Sequence, residues 1–358
     1  MGEKPSFLNN QYNEKNEKEP SDMESIFGDN CNIQKTFSIR KDLDINNNEV
    51  ELVHCDAFWT ELIDPDSKEI VEGKVYLPKK QEDQKEVVVF CPGYRGDFAI
   101  QESEYAEALS QKGKTVIFLR HNGLNVEKED LFNCVHCKER GEVVINNDRL
   151  KYLGDSSDFS FSFIKANDEV LTALKALSGN TDIERVDIVG HSWGARIAIE
   201  SLKKLNFEDT PGARSIKDKI KSTTLLGAWL ETRRDKTEVF RDYFVSDGEN
   251  DYFKNMDGNK AMEEIFKMNE NFDKIQGSDL PRNTKIIGIH SVGDGYVDMR
   301  GEIAPFFDRL EKNQKGYMTT KDLIGMTPKE IGGRSSETHD YATKEILGLI
   351  NHILETTK

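Results

Sequence analysis

The sequence predicts an α/β protein built on a doubly wound, mostly parallel sheet with antiparallel strands at its N-terminal edge. Three observations carry that prediction. Short, unbroken apolar runs recur at 87–90, 115–119, 186–189, 223–226 and 285–289, the pattern of strands buried on both faces. Helical periodicity fills the intervals, at 102–112, 163–177, 195–205 and 303–310, and such alternation implies a sheet wrapped by helices. Between one run and one helix lies Gly190-His191-Ser192-Trp193-Gly194, which reads as a sharp strand-to-helix turn with a serine at its apex.

Taken in order, residues 1–33 are rich in Asn, Glu, Lys and Ser and form a polar tail with too little apolar surface to fold alone. The runs 36–39, 50–53, 57–62 and 70–77 alternate apolar and polar residues, as half-solvated antiparallel strands do. The last helix, 342–354, gathers Ile346, Leu347, Leu349, Ile350 and Ile353 on one face, suited to docking on the sheet. Two segments interrupt the repeat, 124–160 and 231–280. The second carries Phe240, Tyr243, Phe244, Tyr252, Phe253, Phe266 and Phe272, and a long aromatic insertion is expected to be a helical cap over a pocket. The predicted organisation is therefore a tail (1–33), a core (34–230 and 281–358) and a cap or lid (231–280).

Composition narrows the class. The 358 residues carry a net charge of −16 with 36% hydrophobic and 32% charged residues, which argues against nucleic acid or an anionic membrane as the main partner. No stretch approaches the roughly 18 apolar residues of a membrane-spanning helix, so no membrane insertion is expected. Met1 to Ser6 lacks the apolar core of a signal peptide and fits only the loose myristoylation pattern, with Glu3 and Pro5 against it. The five cysteines are odd in number and mostly isolated, which suits a reducing compartment, so a cytoplasmic location is expected. Cys134-Val135-His136-Cys137 has no second pair at zinc-finger spacing and reads as a loop with two free thiols. No metal or organic cofactor is implied.

A serine hydroxyl becomes a nucleophile when a base takes its proton and a third group orients that base. Glycines at 190 and 194 permit the cramped turn, and the following helix aims its positive end at the place where an oxyanion would form. Of seven histidines, His191 adjoins the serine, His290 and His54 lie in predicted strands, and His352 lies on a helix face. His121 and His136 precede the serine without an evident partner. His339 sits in a polar loop before the final helix, where an imidazole could reach Ser192, and is the predicted base. The acid should leave a strand end between them: Asp294 is favoured, with Asp298 and Glu231 as competitors. Two backbone amides are needed for an oxyanion, and Trp193 and Tyr94 are the predicted donors, the latter from the loop Cys91-Pro92-Gly93-Tyr94-Arg95-Gly96.

With these residues in view the chain resembles the α/β-hydrolase superfamily, in its branch of capped serine esterases, lipases and serine aminopeptidases. The resemblance covers roughly residues 50 to 355 and rests on the elbow, on the order Ser192, Asp294, His339, on the Pro92-Gly93-Tyr94-Arg95-Gly96 turn and on Asp294-Gly295-Tyr296-Val297. It departs from the family at Pro92, where histidine is common, and in the long interval from Asp294 to His339, where 314–338 is expected to carry an extra loop. The resemblance implies an α/β-hydrolase fold with Ser192 as nucleophile, His339 as base and Asp294 as its orienter. The implied activity is hydrolysis of a carboxylic ester with a small, moderately apolar acyl or aryl group through an acyl-enzyme. Amide cleavage, acyl transfer or a non-catalytic ligand-binding role on the same fold are the alternatives, and the expected partner is a small-molecule ester or amide.

Overall fold

The structure is a computed structural model, and it describes residues 26–39, 55–78, 85–94, 109–110, 112–121, 162–230, 241–242, 244–245, 257–290, 297, 299–319 and 344–357. Among these residues, nine strands form one sheet: β1 (Cys31–Ile39), β2 (Cys55–Ile63), β3 (Ile70–Leu77), β4 (Glu86–Cys91), β5 (Thr115–Leu119), β6 (Arg185–His191), β7 (Ile220–Leu226), β8 (Lys285–His290) and β9 (Lys315–Thr319). Their spatial order is β1-β2-β3-β5-β4-β6-β7-β8-β9. The first three strands run antiparallel to their neighbours, up to the β3–β5 pair, and every pair from β5 to β9 is parallel. The predicted fold class is the one observed.

Strands β5 and β6 are buried at every position, which is why they read as unbroken apolar runs rather than as alternation. Among the described residues, six α-helices accompany the sheet: α1 (Ala166–Ala176), α2 (Trp193–Phe207), α3 (Pro211–Lys217), α4 (Gly258–Phe272), α5 (Ala304–Asp308) and α6 (Lys344–Thr356). Local chemistry starts them. Thr210 accepts a hydrogen bond from the Ala213 N–H with Pro211 in the first turn of α3, and Asp257 accepts from the Asn259 and Lys260 N–H groups at the head of α4. Both are N-caps that satisfy donors the helix itself leaves open.

Charged clusters tie the layers. Lys175 on α1 is buried and lies 2.8 Å from Asp64, 3.1 Å from Asp66 and 2.5 Å from Glu208, joining the β2–β3 turn to the ends of α1 and α2. Arg185 and Asp187 form a buried pair along β6, Ser222 donates to Asp187 at 2.6 Å, and Arg185 donates to Thr357 after α6. Burial pushes the Asp187 carboxyl up, and its hydrogen bonds with Arg185 and Ser222 oppose that rise.

The structure revises three boundaries. The tail predicted for 1–33 is too long, because Ile26 and Phe27 are fully buried in the main core and β1 begins at Cys31. Strand β9 falls within 314–338, where an extra loop was expected; its sequence, Lys315-Gly316-Tyr317-Met318-Thr319, is too mixed to read as a buried run, and it is fixed by parallel pairing with β8. The third revision concerns 231–280. Helix α4 is the crossover between the adjacent parallel strands β7 and β8, and Ala261, Met262, Ile265, Met268 and Phe272 on it are buried in the main core. It therefore packs as part of the core rather than as part of a separate cap. The run 50–53, most of the helix at 102–112, the 124–160 insertion and the Cys134–Cys137 motif lie outside the described residues.

Candidate functional site

Chain order and spatial order diverge at β4. The chain steps from β4 to β5 on one side and later returns to β6 on the other, so the carboxyl ends of β4 and β6 diverge around a switch point, where open α/β sheets place their ligands. The loop Pro92-Gly93-Tyr94 leaves β4, and Ser192 leaves β6, with Cys91 and Gly190 paired in register beneath them.

Ser192 has φ +51° and ψ −122° and precedes the first residue of α2. That conformation is one that a residue with a Cβ rarely adopts, and it is held from several sides. The Ser192 N–H donates to the Leu226 carbonyl at 2.9 Å, while the Ser192 carbonyl accepts from the Ala195 N–H at 3.2 Å and the Trp229 N–H at 3.0 Å. The flanking glycines are required by space. A Cβ on Gly190 would stand 2.5 Å from the Ala195 Cα, and one on Gly194 would stand 2.2 Å from the carbonyl oxygens of both Cys91 and Pro92. Gly194 thus lets the β4 loop run directly across the start of α2. Trp193 is the first residue of that helix, where the N–H groups have no acceptor within the helix, and the 15-residue helix directs its positive end to the same point.

Around the elbow the aromatic side chains converge. Tyr94 stacks on Phe163 at 5.5 Å and meets the Trp193 ring edge-on at 6.4 Å. Phe244, from the segment predicted to cover the site, is fully buried against Tyr94 at 5.0 Å and Phe163 at 5.1 Å. Glu264 on α4 accepts from the Phe163 N–H at 2.8 Å and from the Ser162 hydroxyl at 3.0 Å, fixing the approach to α1. Arg196 on α2 is buried, paired with Glu200 at 2.9 Å, and donates to Asn269 on α4 at 2.7 Å, so the elbow helix is braced laterally.

Sequence-predicted residues divide into two groups. Ser192, Trp193 and Tyr94 are brought together at the switch point. Asp294, its competitors Asp298 and Glu231, and His339 lie outside the described residues. One feature was missed. His121, just past β5, has no partner evident from the sequence, yet its Nδ1 lies 2.9 Å from Glu169 on α1 and its Nε2 lies 3.3 Å from the Pro92 carbonyl oxygen. Its ring also packs on Trp193 at 4.8 Å. The separation of 48 positions between His121 and Glu169 in the chain left no local pattern from which that pair could be read. Cys91, fully buried at the end of β4, has its thiol pushed well up by burial, which makes it a packing residue rather than a nucleophile.

A mostly parallel sheet with an antiparallel N-terminal edge and a glycine-packed serine elbow at the switch point is the architecture of the α/β-hydrolase fold. Residues 71–242, just under half of the chain, match the model of the family described as "Alpha/beta hydrolase of unknown function (DUF900)". No curated protein sequence matches the chain. Among solved structures, it is similar to a carboxylesterase of the thaumarchaeon Nitrososphaera gargenis at 13% identity and TM-score 0.47, covering 83% of this chain and 98% of that one. It is similar also to Est1E of Butyrivibrio proteoclasticus with ferulic acid bound, at 13% identity and TM-score 0.46, covering 80% of this chain and 96% of that one. A third is the thermophilic esterase Est2 of Thermogutta terrifontis, at 14% identity and TM-score 0.45, covering 81% and 91%. Among the described residues no helix is long and apolar enough to cross a membrane.

Proposed function

We propose that this protein is a serine hydrolase that cleaves a carboxylic ester through an acyl-enzyme, with Ser192 as nucleophile. The observation that carries the proposal is the Ser192 backbone, held at φ +51° between glycines that cannot bear a Cβ. Strain of this kind costs about 1–3 kcal/mol, and it places a side chain at the apex of a turn beside helix-terminal N–H groups. A structural serine has no need of it. In the proposed reaction the Ser192 Oγ adds to the acyl carbon as His339 accepts its proton, and Asp294 orients the imidazole. The Trp193 and Tyr94 amides receive the oxyanion. His339 then protonates the departing alcohol, and water, deprotonated by the same imidazole, releases the acid. The aromatic surroundings, with Phe244 at their centre, suit a small apolar acyl or aryl group. Residues 231–257 are the proposed cover of the site.

The test is hydrolysis of p-nitrophenyl esters of increasing chain length, run beside aminoacyl anilides and with a fluorophosphonate probe. Wild-type protein should hydrolyse the short esters and label at one serine, and Ser192→Ala should abolish both. A folded wild-type protein that neither labels nor turns over any ester would remove the proposal. Unchanged rates in His339→Ala or Asp294→Asn would remove those two roles.

A further inference from the structure

We infer that His121, held by Glu169, is a positioning residue that fixes the Pro92–Gly93 peptide and, through it, the Tyr94 amide. The inference rests on the proposed role of that amide and deepens it. A carbonyl oxygen can only accept, so at 3.3 Å from the Pro92 oxygen the His121 Nε2 must carry a proton and donate it. The opposite nitrogen, Nδ1, lies at hydrogen-bond distance from the Glu169 carboxyl, 2.9 Å. Glu169 thereby holds the ring plane, with Nε2 directed at the Pro92 carbonyl. Both side chains are buried, His121 at 4% and Glu169 at 6% exposure, so water does not compete effectively for either bond.

The need for such a hold follows from the loop sequence. Pro92 has no N–H, so its carbonyl is the one backbone group by which hydrogen bonding can grip it. Gly93 next to it has the widest backbone freedom of any residue, so nothing intrinsic to the loop fixes where the Tyr94 N–H points. Because the peptide unit is planar and trans, pinning the Pro92 oxygen also sets the direction of the Gly93 N–H and the position of the Gly93 Cα, from which the chain turns to Tyr94. The other side of that oxygen is confined by the elbow, since a Cβ on Gly194 would stand 2.2 Å from it. The carbonyl is lodged between the His121 ring and the start of α2. Packing of the same ring on Trp193, at 4.8 Å between centroids, brings both proposed oxyanion donors under one side chain.

Two near-isosteric variants separate positioning from packing. In His121→Asn the amide nitrogen occupies the place of Nδ1 and can meet Glu169 but cannot reach Pro92. In His121→Gln the amide nitrogen occupies the place of Nε2 and can still donate to the Pro92 carbonyl. With p-nitrophenyl butyrate, His121→Asn should lose about 30-fold in kcat with KM within about threefold, a fraction of what removing a whole oxyanion donor costs. His121→Gln should return to within about fivefold of wild type. Fluorophosphonate labelling rates should follow kcat, and thermal melting should show both variants folded. Equal losses in the two variants, or a folded His121→Asn with wild-type kcat and labelling rate, would overturn the inference while leaving the serine-hydrolase reading intact. Failure of the wild-type protein to label at Ser192 would remove that reading, and the inference with it.

Discussion

Replacing Gly194 by alanine is expected to damage catalysis far more than stability. Gly194 is the second residue of α2, and in an ordinary helix position Gly→Ala is favourable by about 1 kcal/mol. Here the new Cβ would stand 2.2 Å from two carbonyl oxygens, where ordinary contact is 3.4–4 Å. Both obstructing atoms are backbone, from Cys91 and Pro92, so no side chain can swing aside. Overpacking of this kind costs about 1–3 kcal/mol, and subtracting the helix gain leaves a net loss of about 0–2 kcal/mol. For a protein of this size that is a fall in Tm of only a few degrees. The β4 loop must nevertheless withdraw by about 1 Å, and a displacement of that size near the chemistry can cost about 100-fold in rate. Steady-state hydrolysis of p-nitrophenyl butyrate, beside differential scanning calorimetry, measures the two effects separately. A folded Gly194→Ala with wild-type kcat would show that the loop's contact with the elbow has no part in catalysis.

Two further outcomes follow from the same geometry and from the buried charges. At position 192 the usual order of Ala over Gly should invert: with φ at +51°, Ser192→Gly is expected to be more stable than Ser192→Ala by about 1 kcal/mol, both being inactive, and equal melting temperatures would show the elbow to be unstrained. Lys175→Met should cost about 3–5 kcal/mol in urea unfolding, because Asp64, Asp66 and Glu208 would be left facing one another around a buried site. Acid titration adds a signed check. Burial alone would raise the Asp66 carboxyl, but hydrogen bonds from Thr210 and Lys175 win and hold it below its ordinary value. Between that lowered value and the unfolded value of 3.8 the unfolded chain binds more protons, so this contribution to stability is present above the window and is lost as pH falls through it. Asp66→Asn should flatten that part of the acid-unfolding profile, and an unchanged profile would refute the assignment.

Much of the fold was legible because the parallel strands are buried on both faces and so announce themselves as short apolar runs without help from their neighbours. The elbow was legible for a related reason: its two glycines, its serine and the adjoining strand and helix all fall within about 20 residues. Strand β9 was not legible. Lys315-Gly316-Tyr317-Met318-Thr319 becomes a strand through pairing with β8, and its composition alone carries little preference. The extent of the aromatic insertion was misread in the same way. Helix α4 has the apolar stripe of any amphipathic helix, and only its burial against the core distinguishes a crossover from a cap.

By itself, the sequence determined the order of the buried parallel strands from β4 to β8 with the helices between them, and the place where a serine could stand strained between two glycines, since both depend on residues close together in the chain. The tertiary structure decided what lies beside that serine. It brought the Pro92 carbonyl from β4 against Gly194 of α2 and set His121 from the end of β5 between that carbonyl and Glu169 of α1. Contacts of that kind join segments far apart in the chain, and their energy comes from exclusion of water and matching of shape, which no local pattern encodes.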